Sequence, residues 1–93
     1  MLKLTDLVKL GLLSEGDCLV WKKNNSSLFE AILLKDGQIL TSDGVKHASP
    51  SGAARHVNHG ISTNGWRVWQ AKTSGKTLAN IRDSLGSTNY LKP

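Results

Sequence analysis

The amino-acid sequence predicts a small α+β domain, in which an antiparallel meander of about four short strands packs with three short helices. The chain has 93 residues, enough for one domain with one modest hydrophobic core. Short apolar segments alternate with Asp-Gly turn pairs, which is typical of antiparallel strands. Segments with helix-capping residues lie on both sides of this pattern. We expect residues 1–86 to form a single domain and residues 87–93 to form a flexible C-terminal tail.

The first predicted element is a short helix that begins near Thr5 and ends before Gly11. Thr5 is a suitable N-cap residue, and Asp6 suits the positive end of the helix dipole. Gly11 suits the left-handed conformation that often follows a helix. The apolar residues of this segment are Leu4, Leu7, Val8 and Leu10.

Extended segments with turns between them are predicted to follow. They are residues 18–21, 28–34, 38–41 and 45–48. The first two are rich in apolar, β-prone side chains, and the loop between them is polar. Asp36-Gly37 predicts a type I′ hairpin turn between the second and the third. The connections are short, so consecutive segments are expected to pair as an antiparallel meander.

A second helix is predicted to begin at Pro50, with Ser49 as its N-cap. Proline is favoured at the first helical position because an N–H group there has no partner within the helix. Gly60 is suited to end the helix. The residues expected to face the core are Ala53, Ala54 and Val57.

The last part of the domain is predicted to contain a strand over residues 66–71 and a helix over residues 77–85. Side chains of a strand alternate between its two faces. Trp66 would therefore lie on one face, and Trp69 would lie on the other face together with Arg67.

Basic residues are concentrated in the second half of the chain. Residues 1–43 contain five Lys or Arg and six Asp or Glu, whereas residues 44–93 contain seven Lys or Arg and one acidic residue. This asymmetry indicates an anionic partner for the second half, although exposed charges also keep small domains in solution. No apolar segment of the sequence is long enough to cross a membrane. A single cysteine, Cys18, fits a protein of a reducing compartment.

The region from Lys46 to Lys72 contains the side chains that we expect to bind DNA. The backbone N–H groups at the start of the second helix are suited to a phosphate, and Ser49 and Ser51 add hydroxyl groups beside them. Basic side chains neutralise phosphates, and aromatic rings stack on bases. The predicted DNA-binding residues are Lys46, Ser49, Ser51, Arg55, Asn64, Arg67, Trp69 and Lys72, with Lys76 as a further phosphate contact.

Trp66 and Trp69 have two interpretations. Either ring could stack on a base or line a pocket for a modified one. Both could instead be core residues, an interpretation that the sequence favours for Trp66 and leaves open for Trp69. Ser49 has two compatible roles, as helix cap and as phosphate contact.

The sequence contains no arrangement typical of an enzyme. Asp83 is the only carboxylate after residue 43, so paired-carboxylate and metal-assisted catalysis lack their usual groups. His47, His56 and His59 are close in sequence, but zinc normally takes four ligands and no cysteine joins them. We therefore expect no enzymatic activity, no metal and no cofactor.

Two motifs give the chain a resemblance to a known family. Residues 48–54 read Ala-Ser-Pro-Ser-Gly-Ala-Ala, and residues 64–69 read Asn-Gly-Trp-Arg-Val-Trp. Their order and spacing resemble the RAMA domain, the restriction enzyme and adenine methylase associated domain. The segment 10–17 also looks like the start of that family, and the resemblance covers most of residues 4–71.

The resemblance implies a compact α+β module that accompanies DNA methyltransferases and restriction nucleases. Members of the family are thought to bind DNA, some with a preference for N6-methyladenine. We therefore predict a non-catalytic DNA-binding accessory domain with modified adenine as a candidate target. Its expected location is cytoplasmic, of bacterial type and associated with the nucleoid, or otherwise intracellular.

The sequence also fits two other functions less well. The main alternative is a protein-interaction module that recruits a methyltransferase or nuclease subunit through an apolar patch at Leu2, Leu12 and Leu13. The other alternative is a minimal nuclease, but the sequence lacks the carboxylates that nuclease chemistry would need.

Overall fold

The computed structural model describes residues 3–91 and confirms the α+β class, with five strands and four helices in that range. The elements in chain order are α1 (Leu4–Lys9), β1 (Cys18–Asn24), β2 (Ser27–Leu33), β3 (Ile39–Thr41), β4 (Lys46–His47), α2 (Pro50–Val57), α3 (Gly65–Val68), β5 (Gln70–Ala71) and α4 (Leu78–Leu91). The strands form one antiparallel sheet in the order β4-β3-β2-β1-β5. The predicted meander is confirmed over β1 to β4, and β5 adds a fifth strand beside β1.

The sheet has one buried face and one largely exposed face. The register places Leu19 opposite Ala31 and Ala31 opposite Thr41, and these three side chains are buried. Ile32 and Leu40 pair on the other face, where Ile32 is 44% exposed. Alternation of side chains along each strand therefore separates a core face from an outer face.

The hydrophobic core lies between the buried sheet face and the helices. Near its centre, Trp69 is fully buried and packs edge-on against Trp21, with 6.2 Å between the ring centroids. Trp21 in turn contacts Phe29 of β2, with 5.4 Å between centroids. The buried apolar residues that the helices contribute are Leu4, Leu7, Ala53, Ala54, Leu78 and Ile81.

The turn at Asp36-Gly37 differs from the predicted type I′ turn, and the turn at Asp43-Gly44 has the same geometry. The Gly37 N–H group donates to the Leu34 carbonyl oxygen at 3.0 Å, and the Gly44 N–H group donates to that of Thr41 at 2.9 Å. Both glycines have positive φ angles, 83° and 87°, whereas the aspartates before them do not. Each connection is therefore a type I turn followed by a left-handed glycine, since a type I′ turn needs positive φ at both central residues.

The segment after Asn64 differs most from the prediction. Residues expected to begin a strand form the helical turn α3, and only β5 remains extended. Asn64 caps this turn, because its Oδ1 accepts a hydrogen bond from the Trp66 N–H group at 3.1 Å. The predicted alternation of faces is therefore wrong: Trp69 is buried, whereas Arg67 is exposed on a different side of the helical turn.

α1 begins one residue before its predicted cap. The Lys3 N–H group donates to Asp6 Oδ2 at 2.8 Å, so Asp6 rather than Thr5 supplies the side-chain oxygen at this helix end. A carboxylate in the first turn also interacts favourably with the helix dipole. Gly11 has a φ of 78° just after the helix, as predicted.

α4 is longer than the helix predicted for residues 77–85, since its backbone stays helical to Leu91. Most of the segment predicted as a flexible tail, residues 87–93, is thus helical, and residues 92–93 lie outside the described residues. Within the described range, no helix combines the length and apolar character needed to cross a membrane.

Candidate nucleic-acid interface

The two sequence motifs lie against each other where α2 meets α3. Gly65 packs so closely on Pro50 and Ser51 that a Cβ atom at this position would overlap the Pro50 carbonyl group. The Gly65 N–H group donates to Ser51 Oγ at 3.0 Å. The Trp69 indole N–H group donates to the Pro50 carbonyl oxygen at 3.1 Å. We call Pro50, Ser51, Gly65 and Trp69 the α2–α3 seam.

The seam changes the role predicted for the start of α2. Ser49 caps the helix as predicted, since its Oγ accepts from the Gly52 N–H group at 3.0 Å. The Ser49 carbonyl oxygen accepts from the Ala53 N–H group at 3.1 Å. Pro50 has no N–H group, and the Ser51 hydroxyl oxygen accepts a hydrogen bond in the seam. The N–H groups of Gly52 and Ala53 therefore have protein partners, whereas the sequence predicted free N–H groups for a phosphate at this helix end.

Trp69 is a core residue, so the stacking and pocket roles predicted for it are wrong. Its side chain is fully buried and its indole N–H group is already paired. Stacking on a base requires an accessible ring face. Trp66 is only partly buried, and the guanidinium carbon of Arg82 lies 4.5 Å from the centroid of its ring. Trp66 is therefore the tryptophan of this motif that reaches the surface.

Arg82 borders two surface hollows, and Trp66 borders the first of them. The first, of about 420 Å³, is lined by Ser51, Ser62, Thr63, Asn64, Trp66 and Arg82. The second, of about 400 Å³, lies between α3 and α4, and its lining includes Asn64, Arg67, Thr77, Asn80, Arg82 and Asp83. Asn64 and Arg82 border both hollows. We call Asn64, Trp66, Arg67 and Arg82 the arginine face.

The two arginines of this face keep their hydrogen-bond donors free. Among the side chains described for residues 3–84, neither guanidinium group donates a hydrogen bond, and the contact between Arg82 Nε and Asp83 Oδ1 is long, 3.8 Å. By contrast, Arg55 Nε donates to the Gly60 carbonyl oxygen at 3.2 Å. The arginine face therefore has donors available for an anion.

The predicted DNA-binding residues do not form one continuous surface. Lys46 pairs opposite Leu40, so it lies on the outer face of the sheet. Lys72 follows β5 at the other edge of the sheet, and Lys76 lies in the loop before α4. Of the residues predicted from the sequence, the structure brings together Ser51, Asn64, Trp66 and Arg67.

Arg82 is the residue of this face that the sequence reasoning missed. It follows Leu78 by four positions on α4, so it borders the apolar stripe that includes Ile81. A long basic side chain at such a border covers apolar surface with its aliphatic part while its charged end reaches solvent. This helical spacing is the signal that could have identified it.

A second polar cluster connects the β3–β4 turn to α2. His56 Nε2 lies 2.6 Å from Asp43 Oδ2, and the Thr41 hydroxyl group donates to Asp43 Oδ1 at 2.5 Å. The hydrogen bond from Thr41, followed by that from His56, lowers the pKa of Asp43 to about 2. His47 packs on His56 with 4.7 Å between ring centroids. Partial burial, and then the nearby His56, lower the pKa of His47.

His59 lies apart from this cluster. α2 ends at Val57 and His59 follows with a φ of 58°, so His56 and His59 do not share a helix face. In the described part of the chain, no group of three or more His, Cys, Asp or Glu side chains is placed to hold a metal ion. The contact between Asp43 and His56 instead links the turn to α2.

The model of a known protein family matches nearly the whole chain. The model of the RAMA family, described as Restriction Enzyme Adenine Methylase Associated, matches residues 1–90. The chain belongs to the RAMA family. No curated protein sequence matches it. The resemblance seen in the motifs is thus confirmed, and the match extends through most of α4.

In this RAMA domain, most motif residues hold α2 and α3 together. The seam uses both motifs, and Ala53 and Ala54 are buried beneath it. Asn64 caps α3, and Trp66 alone among the motif aromatics supports a charged group at the surface. The family description associates RAMA domains with restriction enzymes and adenine methylases, which are enzymes that act on DNA.

Proposed function

We propose that this RAMA domain is a non-catalytic accessory domain that binds DNA in a restriction–modification or DNA adenine methylation system, inside the cell. The observation that supports this most is the arginine face, where Trp66 contacts Arg82 and neither Arg67 nor Arg82 donates a hydrogen bond to another described residue. Neutralisation of phosphates by such groups dominates the affinity of most DNA-binding proteins. The family description supports the biological setting.

The hollow beside Trp66 is the proposed site for a base. Thr63 and Asn64 supply polar groups to its lining, and the Trp66 ring supplies an aromatic surface. A base of a duplex has to leave the stack to enter such a hollow, which costs least when its pairing is already weakened. We expect N6-methyladenine to be preferred, because its methyl group adds apolar contact with the ring.

An NMR titration of the isotope-labelled domain tests this function. Short DNA duplexes with and without N6-methyladenine are added at a low and a high salt concentration. Shifts confined to residues 62–67 and 77–83 that weaken with salt support DNA binding at the arginine face. Larger shifts with the methylated duplex support recognition of the modified base, and equal shifts leave a domain that binds DNA of either kind. No shifts at low salt would contradict the proposal.

A second candidate function, a protein-interaction module, is supported by the outer face of the sheet. The apolar patch predicted at Leu2, Leu12 and Leu13 does not form as expected, because Leu13 is buried; Leu2 lies outside the described residues. Instead, Leu28 and Ile32 are exposed on the outer face, by 59% and 44%. Of the described residues of the predicted patch, Leu12 is 41% exposed and Leu13 is buried.

The charges around this face indicate what kind of partner it fits. Ile32, Leu40 and Glu30 border a mostly apolar hollow of about 320 Å³, and Glu30 Oε2 lies 3.9 Å from Lys72 Nζ. Lys22 and Lys46 pair with Leu28 and Leu40 across neighbouring strands, so they flank the same face. The occupant that fits is a methyltransferase or nuclease segment with an apolar strip and with acidic side chains opposite Lys22 and Lys46. Ile32→Asp should abolish capture of that subunit and preserve DNA binding, whereas Arg67→Ala should preserve capture and weaken DNA binding about tenfold.

A further inference from the structure

The hollow between α3 and α4 brings two guanidinium groups to one place. Arg67 from α3 and Arg82 from α4 both line it, together with the polar side chains of Thr77 and Asn80. Asp83 is the one acidic residue in this lining, so two positive charges face one negative charge. Since arginine presents several N–H donors in one plane, this lining matches the geometry of a tetrahedral oxyanion.

Trp66 holds Arg82 in the orientation that such a ligand needs. The guanidinium carbon lies over the Trp66 ring, 4.5 Å from its centroid, and the Arg82 side chain is only 23% exposed. A guanidinium group donates hydrogen bonds in its plane, not from its faces. Contact with Trp66 therefore restricts the side chain, and an aromatic ring takes no hydrogen bond of the kind that a phosphate oxygen accepts.

The start of α4 supplies a further attraction for an anion. Thr77 caps this helix, since its Oγ1 accepts from the Asn80 N–H group at 3.1 Å, and both residues line the hollow. The N-terminal end of a helix has a partial positive charge. This contribution comes from the backbone and is independent of the two arginines.

We propose that this hollow binds a single phosphodiester group of DNA between Arg67 and Arg82, and that Trp66 is the positioning residue for Arg82. The inference rests on the proposed function, since it names the part of the DNA that the arginine face contacts. Asp83 opposes the bound phosphate and limits the affinity of the site.

The salt dependence of DNA binding tests how many phosphates Arg67 and Arg82 bind. Fluorescence anisotropy is measured with a duplex that lacks 5′-phosphates, for the wild-type chain, Arg67→Ala, Arg82→Ala and the double variant. Each neutralised phosphate adds about 0.9 to the slope of log affinity against log salt. Each single variant should weaken binding about tenfold. The double variant should lose about 0.9 of slope in total, because both arginines act on one phosphate.

A matched control separates this site from the general charge of the domain. Lys35→Ala removes the same charge from the turn between β2 and β3, outside the lining of the hollow. It should leave affinity and slope close to wild type. A double variant that loses about 1.8 of slope would show two separate phosphates. A wild-type chain that binds only duplexes with a terminal phosphate would also overturn the inference.

Variants of Trp66 and Asp83 test the positioning role. Trp66→Phe keeps a ring under Arg82 and should retain most of the affinity, whereas Trp66→Leu should weaken binding at least as much as Arg82→Ala does. In an Arg82→Ala background, Trp66→Leu should lower the affinity less than it does in the wild-type chain, because only the contact of the ring with a base is then lost. Equal losses in the two backgrounds would contradict the positioning role. Asp83→Asn should raise affinity about threefold.

These experiments distinguish failure of the phosphate site between Arg67 and Arg82 from failure of the proposed function. If the wild-type chain does not bind DNA at low salt, both proposals are contradicted. If it binds DNA and the arginine variants bind equally well, the phosphate site is contradicted and DNA binding stands. Denaturation curves of each variant show whether the fold is retained, and Arg67→Lys provides a variant with the charge kept.

Discussion

Trp66 and Trp69 belong to one short motif, yet they lie in two different regions of the molecule. Trp69 is part of the α2–α3 seam, where it is fully buried and its indole N–H group is paired. Trp66 is part of the arginine face, where its ring lies beneath a guanidinium group. The same residue type therefore builds the core at one position and contacts a surface arginine at the other.

The difference between the two regions comes from the single helical turn α3. Trp66 lies within the turn, whereas Trp69 is its C-cap residue, where the backbone is already extended (φ −74°, ψ 131°). The turn brings Trp69 under α2 and leaves Trp66 at the edge of the same contact, against α4. The seam thus fixes where the arginine face is placed, and loss of the seam should affect both stability and binding.

Replacement of each tryptophan by alanine should give the largest difference in the free energy of unfolding between two variants. Trp69→Ala should lower the free energy of unfolding by about 3–5 kcal/mol, because it empties a fully buried site. Trp66→Ala should lower it by only about 1 kcal/mol, since the ring is partly exposed and loses one contact with Arg82. Chemical denaturation measures both values. Equal losses for the two variants would contradict the division into two regions.

Gly65→Ala should have the next largest effect. The added Cβ would overlap the Pro50 carbonyl group, so α2 and α3 would have to separate. We expect a loss of about 3 kcal/mol in the free energy of unfolding. Gly52→Ala is the control, since a Cβ there meets only the Ser49 hydroxyl oxygen at 3.2 Å. That change should alter stability by less than about 1 kcal/mol.

Acidification should weaken the link between the β3–β4 turn and α2. The pKa of Asp43 falls from 3.8 to about 2 in the folded chain, so its stabilising contribution is complete above 3.8 and is lost as pH falls through about 2. Asp43→Asn should therefore flatten the decline of the unfolding midpoint in this window. An unchanged decline in the variant would show that other carboxylates account for it.

The smallest expected effect concerns His47. Its pKa is lowered in the folded chain, so the neutral form is favoured and the unfolded chain takes up a proton more readily. Stability should be highest above the ordinary value of 6.5 and should decrease as pH falls below it. His47→Gln should remove part of this decrease. Thermal denaturation across that range, compared with wild type, measures the difference.

Several elements were predictable because their signals are local. Ser49 and Pro50 identify the start of α2, and the alternation of apolar side chains identifies β1 to β3. Turn types were less predictable, since the Asp-Gly pairs fit both type I′ turns and type I turns followed by glycine. Of the arginine face, the sequence identified Asn64 and Arg67, named Trp66 as a possible pocket residue while favouring the core for it, and missed Arg82.

By itself, the sequence determined the α+β class, the meander, the cap of α2 and the excess of basic residues in the second half. Each of these depends on residues that are neighbours along the chain. Only the tertiary structure decided that α3 is helical, that Trp69 is buried and that Arg82 stacks on Trp66. The physical reason is that these features depend on contacts between distant segments, which outweigh the local preference of tryptophan and valine for strands.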